Sequence, residues 1–590
     1  MSNEQSPLLP GSSSIFAPVR KAGHVSRPGH VSIWRVVFVF CFLVIPLMLL
    51  IDVEMPGLGF GSEPESAKHL CPQTEPLYPV ANAKVAQTVL HVLDSHAFLD
   101  RAVAALSGAV QIATETYDTL PPLEKDPNAW KEFASFHLYL KKTFPLVHDS
   151  LKLTTVNTCG LVYEWTGSDT DLKPVLLAAH QDVVPVNPAT IDQWTHPPFS
   201  GYFDGEWIWG RGSSDDKLGL ISILLAIETL LSHKFQPTRT VVLAFGFDEE
   251  ISGTQGAGKI APYLEETYGR NSFAFLVDEG AGLVQQYGAL FAAPGIGEKG
   301  YFDVRVDVTT AGGHSSIPPA NHHTGIGILS QLIVIFENNV ITPRLSRKQP
   351  IYESLKCLGA HAPDIPQLLK RAIKRSMDSD RDLHRVEEMI FKDNYIKSTV
   401  ATTQAVTMVN GGVKANALPE QSWAIINTRI ATDSSVAAVM DHYTTLVKDY
   451  AIFNNITFKA FGKTILDRGN VISIELSDAW GTALEPAPIT PTDAAAYKLL
   501  SGTILATEVR GGNTTESSDP VYVMPSMMTG NTDTRRYWNL TPNIFRYNHL
   551  IATEGANIHT VDEHVKASGL IRGVRFYAYL LLNSDESVRL

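Results

Sequence analysis

The chain has 590 residues, 44% of them hydrophobic and 18% charged, with a net charge of −13 at neutral pH. That length holds two or three domains around a large core, and the balance is globular rather than disordered. The negative charge argues against nucleic acid as a partner. Cys41, Cys71, Cys159 and Cys357 make no CxxC pair, which excludes a zinc finger or dithiol redox motif and leaves any disulfide unassigned.

Residues 1–33 read as a cytosolic tail. Within it Glu4-Gln-Ser-Pro-Leu8-Leu9 fits an acidic dileucine address, which predicts sorting adaptors as partners and a vacuole or lysosome-like destination. Residues 34–53 read as one transmembrane signal anchor. Val36 to Ile51 is apolar and uncharged, and Trp34 and Val53 extend it toward the roughly 20 residues a bilayer needs. Arg35 snorkels to the interface. Arg20, Lys21, Arg27 and Arg35 precede the run, and Asp52, Glu54, Glu63 and Glu65 follow it, so the N-terminus is cytosolic and the rest lumenal. The late position and the lack of a small-x-small site favour an uncleaved anchor over a signal peptide. Sequons at Asn455, Asn513 and Asn539 suit a lumenal glycoprotein.

Residues 54–79, with Gly, Pro and Glu, form a stem. Residues 80–297 form the first part of an α/β catalytic domain with a mostly parallel sheet. Val80 to about Phe144 is helical in pattern, and from Thr154 to about Ala293 strands and helices alternate. Residues 298–480 form an inserted two-layer α+β unit in βαββαβ order, a lid or dimerisation domain. Its elements are YFDVRVDVTT, GIGILSQLIVIFENNV, STVATTQAVTMV, SWAIINTRIA, SSVAAVMDHYTTLVKDY and ITFKAFG. The charged, helical excursion Arg344 to Lys397 has no readable role. Residues 481–590 complete the catalytic domain.

Chemistry gathers at strand ends. His180-Gln181-Asp182 follows VLLAAH, Asp248-Glu249-Glu250 follows TVVLAFGF, and Asp278-Glu279 follows SFAFLV; Asp215-Asp216 follows a hairpin-like segment, and His559 stands alone near the C-terminus. An open α/β sheet builds its site at such an edge. Imidazole and carboxylate suit zinc, and carboxylates can bridge two ions. Any one acidic pair alone reads as a solvated loop; the joint pattern points to a metal site. Gly253 to Lys259 is a decoy for a phosphate loop, since Ile260 stands where Ser or Thr is needed. GxSxG and HExxH are absent.

The motifs LLAAHQDVVPV, GRGSSDDK, FDEEISG, VDEG, TTAGGHSSIPP, NTR, TGNTDTRRY and GANIHTVDEHV together resemble the di-zinc metallopeptidases that include carboxypeptidase S and the aminoacylases. The resemblance runs from about residue 80 to the end and is strongest to the vacuolar, Gly-Xaa carboxypeptidase group. It implies two zinc ions. One would be held by His180, Asp215 and Asp278, the other by Asp215, Glu250 and His559, with Asp215 bridging. Relatives differ between Asp and Glu at the VDEG position, and this group favours Asp278 over Glu279. The resemblance makes Glu249 the general base and Asp182 the acid that orients His180. It makes His314 an oxyanion stabiliser brought by the inserted unit, in cis or from a second copy in a homodimer. Arg429 would bind the substrate carboxylate, with Asn416 as a second contact.

The implied activity is hydrolysis of the C-terminal amide bond of short peptides. The runner-up is an N-acyl-amino-acid hydrolase. A membrane receptor with a dead peptidase fold is the remote third reading, and the complete set of ligands and base argues against it.

Overall fold

The computed structural model describes residues 69–510 and 520–590. The segments expected to be the cytosolic tail, the signal anchor and the stem up to residue 68, and the sequon at Asn513, lie outside the described residues. Among the described residues no helix is long and apolar enough to cross a membrane.

The catalytic sheet has eight strands in the order 152–156, 160–165, 241–246, 175–180, 276–278, 544–546, 295–298 and 526–528. Its centre is parallel: Val175–His180 pairs in parallel with Val241–Gly246 and Leu276–Asp278, and the latter with Ile544–Arg546. All residues of the two long central strands are buried, which is why they read as unbroken apolar runs. Alternate side chains feed two layers. Leu177, Ala179, Leu243 and Phe245 join one core, and Leu176, Ala178, Val242 and Ala244 the other. The first core holds helix Lys217–Ser232, buried from Lys217 to Leu230, and helix Ala567–Glu586 packed on it. The second holds helix Ala257–Tyr268.

The sheet is mixed rather than parallel throughout. Strand Lys152–Val156 turns straight back into Gly160–Trp165, and so short a connection admits only antiparallel pairing. Gly160–Trp165 also runs antiparallel to Val241–Gly246, as does Gly295–Glu298 to Ile544–Arg546.

The inserted unit is a six-stranded sheet in the order 403–411, 421–430, 300–309, 473–478, 457–460 and 463–466. Gly300–Thr309 alternates strictly between buried and half-buried positions. Its inward Phe302, Val304, Val306 and Val308 pack against helices Gly325–Asn338 and Val436–Phe453. Strands Lys463–Leu466 and Ser473–Asp478 add to the six expected elements.

The excursion from Arg344 leaves this unit. Helices Pro350–His361, Gln367–Arg375, Asp380–Ile390 and Asn394–Val400 bury Leu355, Leu358, Ile373, Val386 and Ile390 with Phe291 and Met524. Phe291 lies on a small sheet of strands 283–286, 289–292 and 521–523, so this core lies beside the catalytic part. A disulfide joins Cys71 to Cys357. Gln73 continues the attachment: its amide donates to Val523 O at 3.0 Å and accepts from Val523 N at 2.7 Å.

Candidate metal centre

Three neighbouring parallel strands deliver the acids and the first imidazole at their C-terminal ends. His180 ends one strand, Glu249 and Glu250 open the turn after the second, and Asp278 ends the third with Glu279 just beyond it. Asp215 arrives from the loop before helix Lys217–Ser232, through a cis peptide to Asp216. His559 comes from a turn near the C-terminus and is half-exposed.

Two sets of donor atoms converge within 4.8 Å: His180, Asp215 and Glu250, and His180, Glu249 and Glu279. His180 Nε2 lies 3.1 Å from Asp215 Oδ1 and 3.7 Å from Glu279 Oε2. His559 Nε2 lies 3.2 Å from Asp215 Oδ2 and 3.3 Å from Glu250 Oε2. Burial pushes the Asp215 carboxyl up, but hydrogen bonds from His180 and His559 outweigh it and hold the group far below the usual range. Asp215 and Glu250 in turn push His559 up to about 10. Burial, then the charge of Glu279, pushes Glu249 well up.

Asp182 is fully buried and ties the acidic turn to His180. Its Oδ1 accepts from Glu249 N and its Oδ2 from Glu250 N, both at 3.1 Å. His180 Nδ1 lies 3.0 Å from the Asp182 carbonyl and 3.3 Å from its Oδ1, which leaves Nε2 facing the acids. Thr116 Oγ1 donates to Asp182 Oδ2 at 2.9 Å; nothing in its sequence neighbourhood distinguishes it.

The strand-end acids divide sharply. Of the VDEG pair, Glu279 reaches His180, whereas Asp278, the ligand expected from the resemblance, enters neither converging set. Asp278 is 1% exposed, with Oδ1 accepting from Glu279 N at 3.0 Å. Glu279, the residue after the strand, is thus the member of the pair that faces His180, while Asp278 is buried with its Oδ2 unpartnered among the described residues. Asp216 also stays out of both sets; it is buried beside Asn548 Nδ2 at 3.5 Å. Asp248 accepts from Gln255 N at 2.8 Å and Gly256 N at 2.7 Å, so its carboxylate already fills the would-be phosphate loop.

The residues expected from the inserted unit stand apart. His314 is exposed on a two-residue strand paired with Ala417–Leu418, and its Nδ1 accepts from Ser316 N at 3.2 Å. Asn416 is exposed just before the facing strand, and its carbonyl accepts from Ser315 N at 3.1 Å. Arg429 lies at the junction with the catalytic part. It donates to Asn531 Oδ1 at 3.2 Å and lies over the Tyr301 ring, 5.8 Å from its centre.

The sequence model described as peptidase family M20/M25/M40 matches residues 176–583. Carboxypeptidase S of Saccharomyces cerevisiae is 40% identical over 527 residues, 88% of this chain and 89% of that protein. The N-fatty-acyl-amino acid synthase/hydrolase of Bos taurus is 33% identical over 494 residues, 82% and 87% of the two chains. Among solved structures, human carnosine dipeptidase 1 superposes with a TM-score of 0.54 at 15% identity, covering 87% of this chain and all of that one. The M20 family metallo-carboxypeptidase of Sulfolobus solfataricus gives 0.53 at 17%, covering 82% and 99%. At such identities these two speak for the fold alone.

Proposed function

Because the chain belongs to peptidase family M20/M25/M40, we propose that it is a metallocarboxypeptidase that cleaves the C-terminal amide bond of short, Gly-Xaa-type peptides. One observation carries the reading. The two oxygens of Asp215 meet two different imidazoles, His180 at 3.1 Å and His559 at 3.2 Å. A carboxylate so placed would serve two cations at once.

Two zinc ions fit the donor set of imidazole nitrogen and carboxylate oxygen. His180, Asp215 and Glu279 would hold one, and Asp215, Glu250 and His559 the other. Glu250 Oε1 is buried and has no hydrogen-bond partner among the described residues, which favours a cation there. When bound, the pair lowers the pKa of a shared water and polarises the scissile carbonyl.

The chain's own groups supply the rest. Glu249 takes the proton of the attacking water and returns it to the leaving amine. Asp182 holds His180 in one orientation and fixes the backbone that carries Glu249. His314 supplies a donor to the developing oxyanion once the inserted unit closes, from the same chain or from a second copy. Arg429 reads the free carboxylate of the substrate, with Asn416 as a further contact.

The likeness to the bovine hydrolase favours a second reading, an N-acyl-amino-acid hydrolase. Zinc analysis with hydrolysis of a blocked Gly-Leu dipeptide and of an N-oleoyl amino acid separates the two. We expect faster dipeptide cleavage, lost on chelation. Preferential cleavage of the oleoyl substrate moves the conclusion to the second reading, and chelator-resistant hydrolysis removes the metal from both.

The same proposal includes a single-pass type II anchor with the catalytic part in the lumen of a vacuole-like compartment. A disulfide between Cys71 and Cys357 supports an oxidising compartment. Exposed Asn455 offers a glycan site on that side. An endoglycosidase-sensitive mobility shift is expected; a chain without glycan and with free thiols at 71 and 357 contradicts this topology.

A further inference from the structure

Glu563 stands four residues after His559 and is 1% exposed. Its carboxylate accepts four hydrogen bonds, all from the loop that ends in Asp215. Oε2 takes Arg211 NH1 at 2.7 Å and Gly212 N at 3.0 Å; Oε1 takes Ser214 N at 2.9 Å and Asp215 N at 3.2 Å. Arg211 is itself buried, with its guanidinium 5.5 Å from the centre of the Trp194 ring. On the other side Glu563 is fixed by its own backbone. Its carbonyl accepts from Gly210 N at 2.8 Å, and strand His564–Lys566 begins at the next residue, paired with Trp207–Trp209. The turn carrying His559 is held as well. Asn557 Nδ2 donates to Asp562 O at 3.0 Å, and Asp562 accepts from Thr195 N and its hydroxyl at 2.6 and 2.7 Å.

We infer that Glu563 is a positioning residue that sets the Asp215–His559 spacing, and with it the affinity of the second ion. The inference rests on the paired-ion reading above. An ordinary buried Arg–Glu pair would need only Arg211. Here three of the four donors are backbone N–H groups, one of them belonging to Asp215. Both oxygens must accept, so an amide cannot substitute: wherever its NH2 points, it faces two donors. Groups that orient metal-binding side chains in this way are worth about 10–100-fold in metal affinity.

Zinc titration of the chelator-stripped full chain tests this, read both calorimetrically and as the zinc-induced rise in Tm. Wild type is expected to take two ions. Glu563→Gln should keep the first and bind the second about 10–100-fold more weakly, with a smaller zinc-induced rise in Tm. Glu563→Asp keeps the charge but is one methylene too short to reach both donor pairs; it should shift the same way and serves if the Gln variant does not fold. Variants that bind both ions with wild-type affinity, whatever their metal-free Tm, reduce Glu563 to a structural pair and overturn the inference. Wild-type protein that takes up fewer than two ions overturns the paired-ion reading instead.

Discussion

The catalytic part and the inserted unit present their functional side chains in opposite ways. Around Asp215 the acids and imidazoles are already within contact of one another, and buried groups such as Asp182 hold the backbone that carries them. On the inserted unit His314 and Asn416 sit exposed at a small two-stranded pairing, and Arg429 is occupied by Asn531. The first site is built where strand ends meet the Asp215 loop and the His559 turn, and its geometry is a property of the folded catalytic part. The second depends on how the inserted unit packs against the catalytic part. Metal binding should therefore survive any change confined to the inserted unit, and recognition should not.

The hardest test of that division is Asp215→Ala. One carboxylate faces both imidazoles, so its loss should remove both ions and abolish turnover, whereas Asp216→Ala should retain most of the metal. Elemental analysis giving the reverse order would shift the motif by one residue. Glu249→Gln comes next. It should keep both ions and lower kcat about 10²–10⁴-fold, the usual worth of a general base. Near-normal turnover would remove the role assigned to Glu249.

Arg429→Ala moves the attack to the other unit. It should leave zinc content unchanged and raise KM about 30-fold for substrates with a free carboxylate, corresponding to about 2 kcal/mol for a partly desolvated charge pair. Matched amide substrates should be nearly unaffected. An equal effect on acids and amides would mean that Arg429 does not read the carboxylate.

The smallest effect on turnover is expected from a buried ion group elsewhere in the catalytic part. Burial pushes Glu508 up, but His549 and Arg572 outweigh it and hold it down at about 2. Burial also lowers the pKa of His549, toward the neutral form, so Arg572, at 2.8 and 2.9 Å from the two Glu508 oxygens, is the partner that keeps the charge. A carboxyl depressed in the folded state stabilises above its unfolded pKa of about 4.3 and loses that contribution as pH falls toward its folded value. Glu508→Gln should thus cost about 2–3 kcal/mol at neutral pH. The gap to wild type should close between about pH 4 and pH 2, while at neutral pH the zinc content of the variant should match wild type. A gap independent of pH would assign the loss to packing.

Much of the catalytic part was legible in the sequence because buried parallel strands advertise themselves as apolar runs. Val175–His180 and Val241–Gly246 were readable for that reason, and so were the acids that follow them. Which of Asp278 and Glu279 faces His180 was not. One residue at a strand end reverses the facing of a side chain, and both choices are acids. Thr116 and Glu563 were invisible because their roles lie in long-range contacts, to Asp182 and to the Asp215 loop. The helices from Pro350 to Lys397 were recognisable as helices, although residues 398–400, read as the start of a strand, end the last of them, and the small sheet that receives them combines residues near 290 with residues near 522. No local pattern encodes that meeting.

The bridge between Cys71 and Cys357 spans a sequence separation of 286 and divides the groups of the candidate metal centre into ring and tail. His180, Asp215, Glu249, Glu250 and Glu279 belong to the covalent ring. His559 and its companion Glu563 ride on the free tail. In an oxidised, unfolded chain the ring confines every candidate ligand but one to a bounded volume, and only His559 must arrive from outside it. Closing a loop of that size removes on the order of 5 kcal/mol of unfolded-state entropy in the chain-entropy treatment. A reducing cytosol would withhold that confinement from five of these six groups at once, and the compartment in which the chain matures thereby becomes part of how its metal centre is specified.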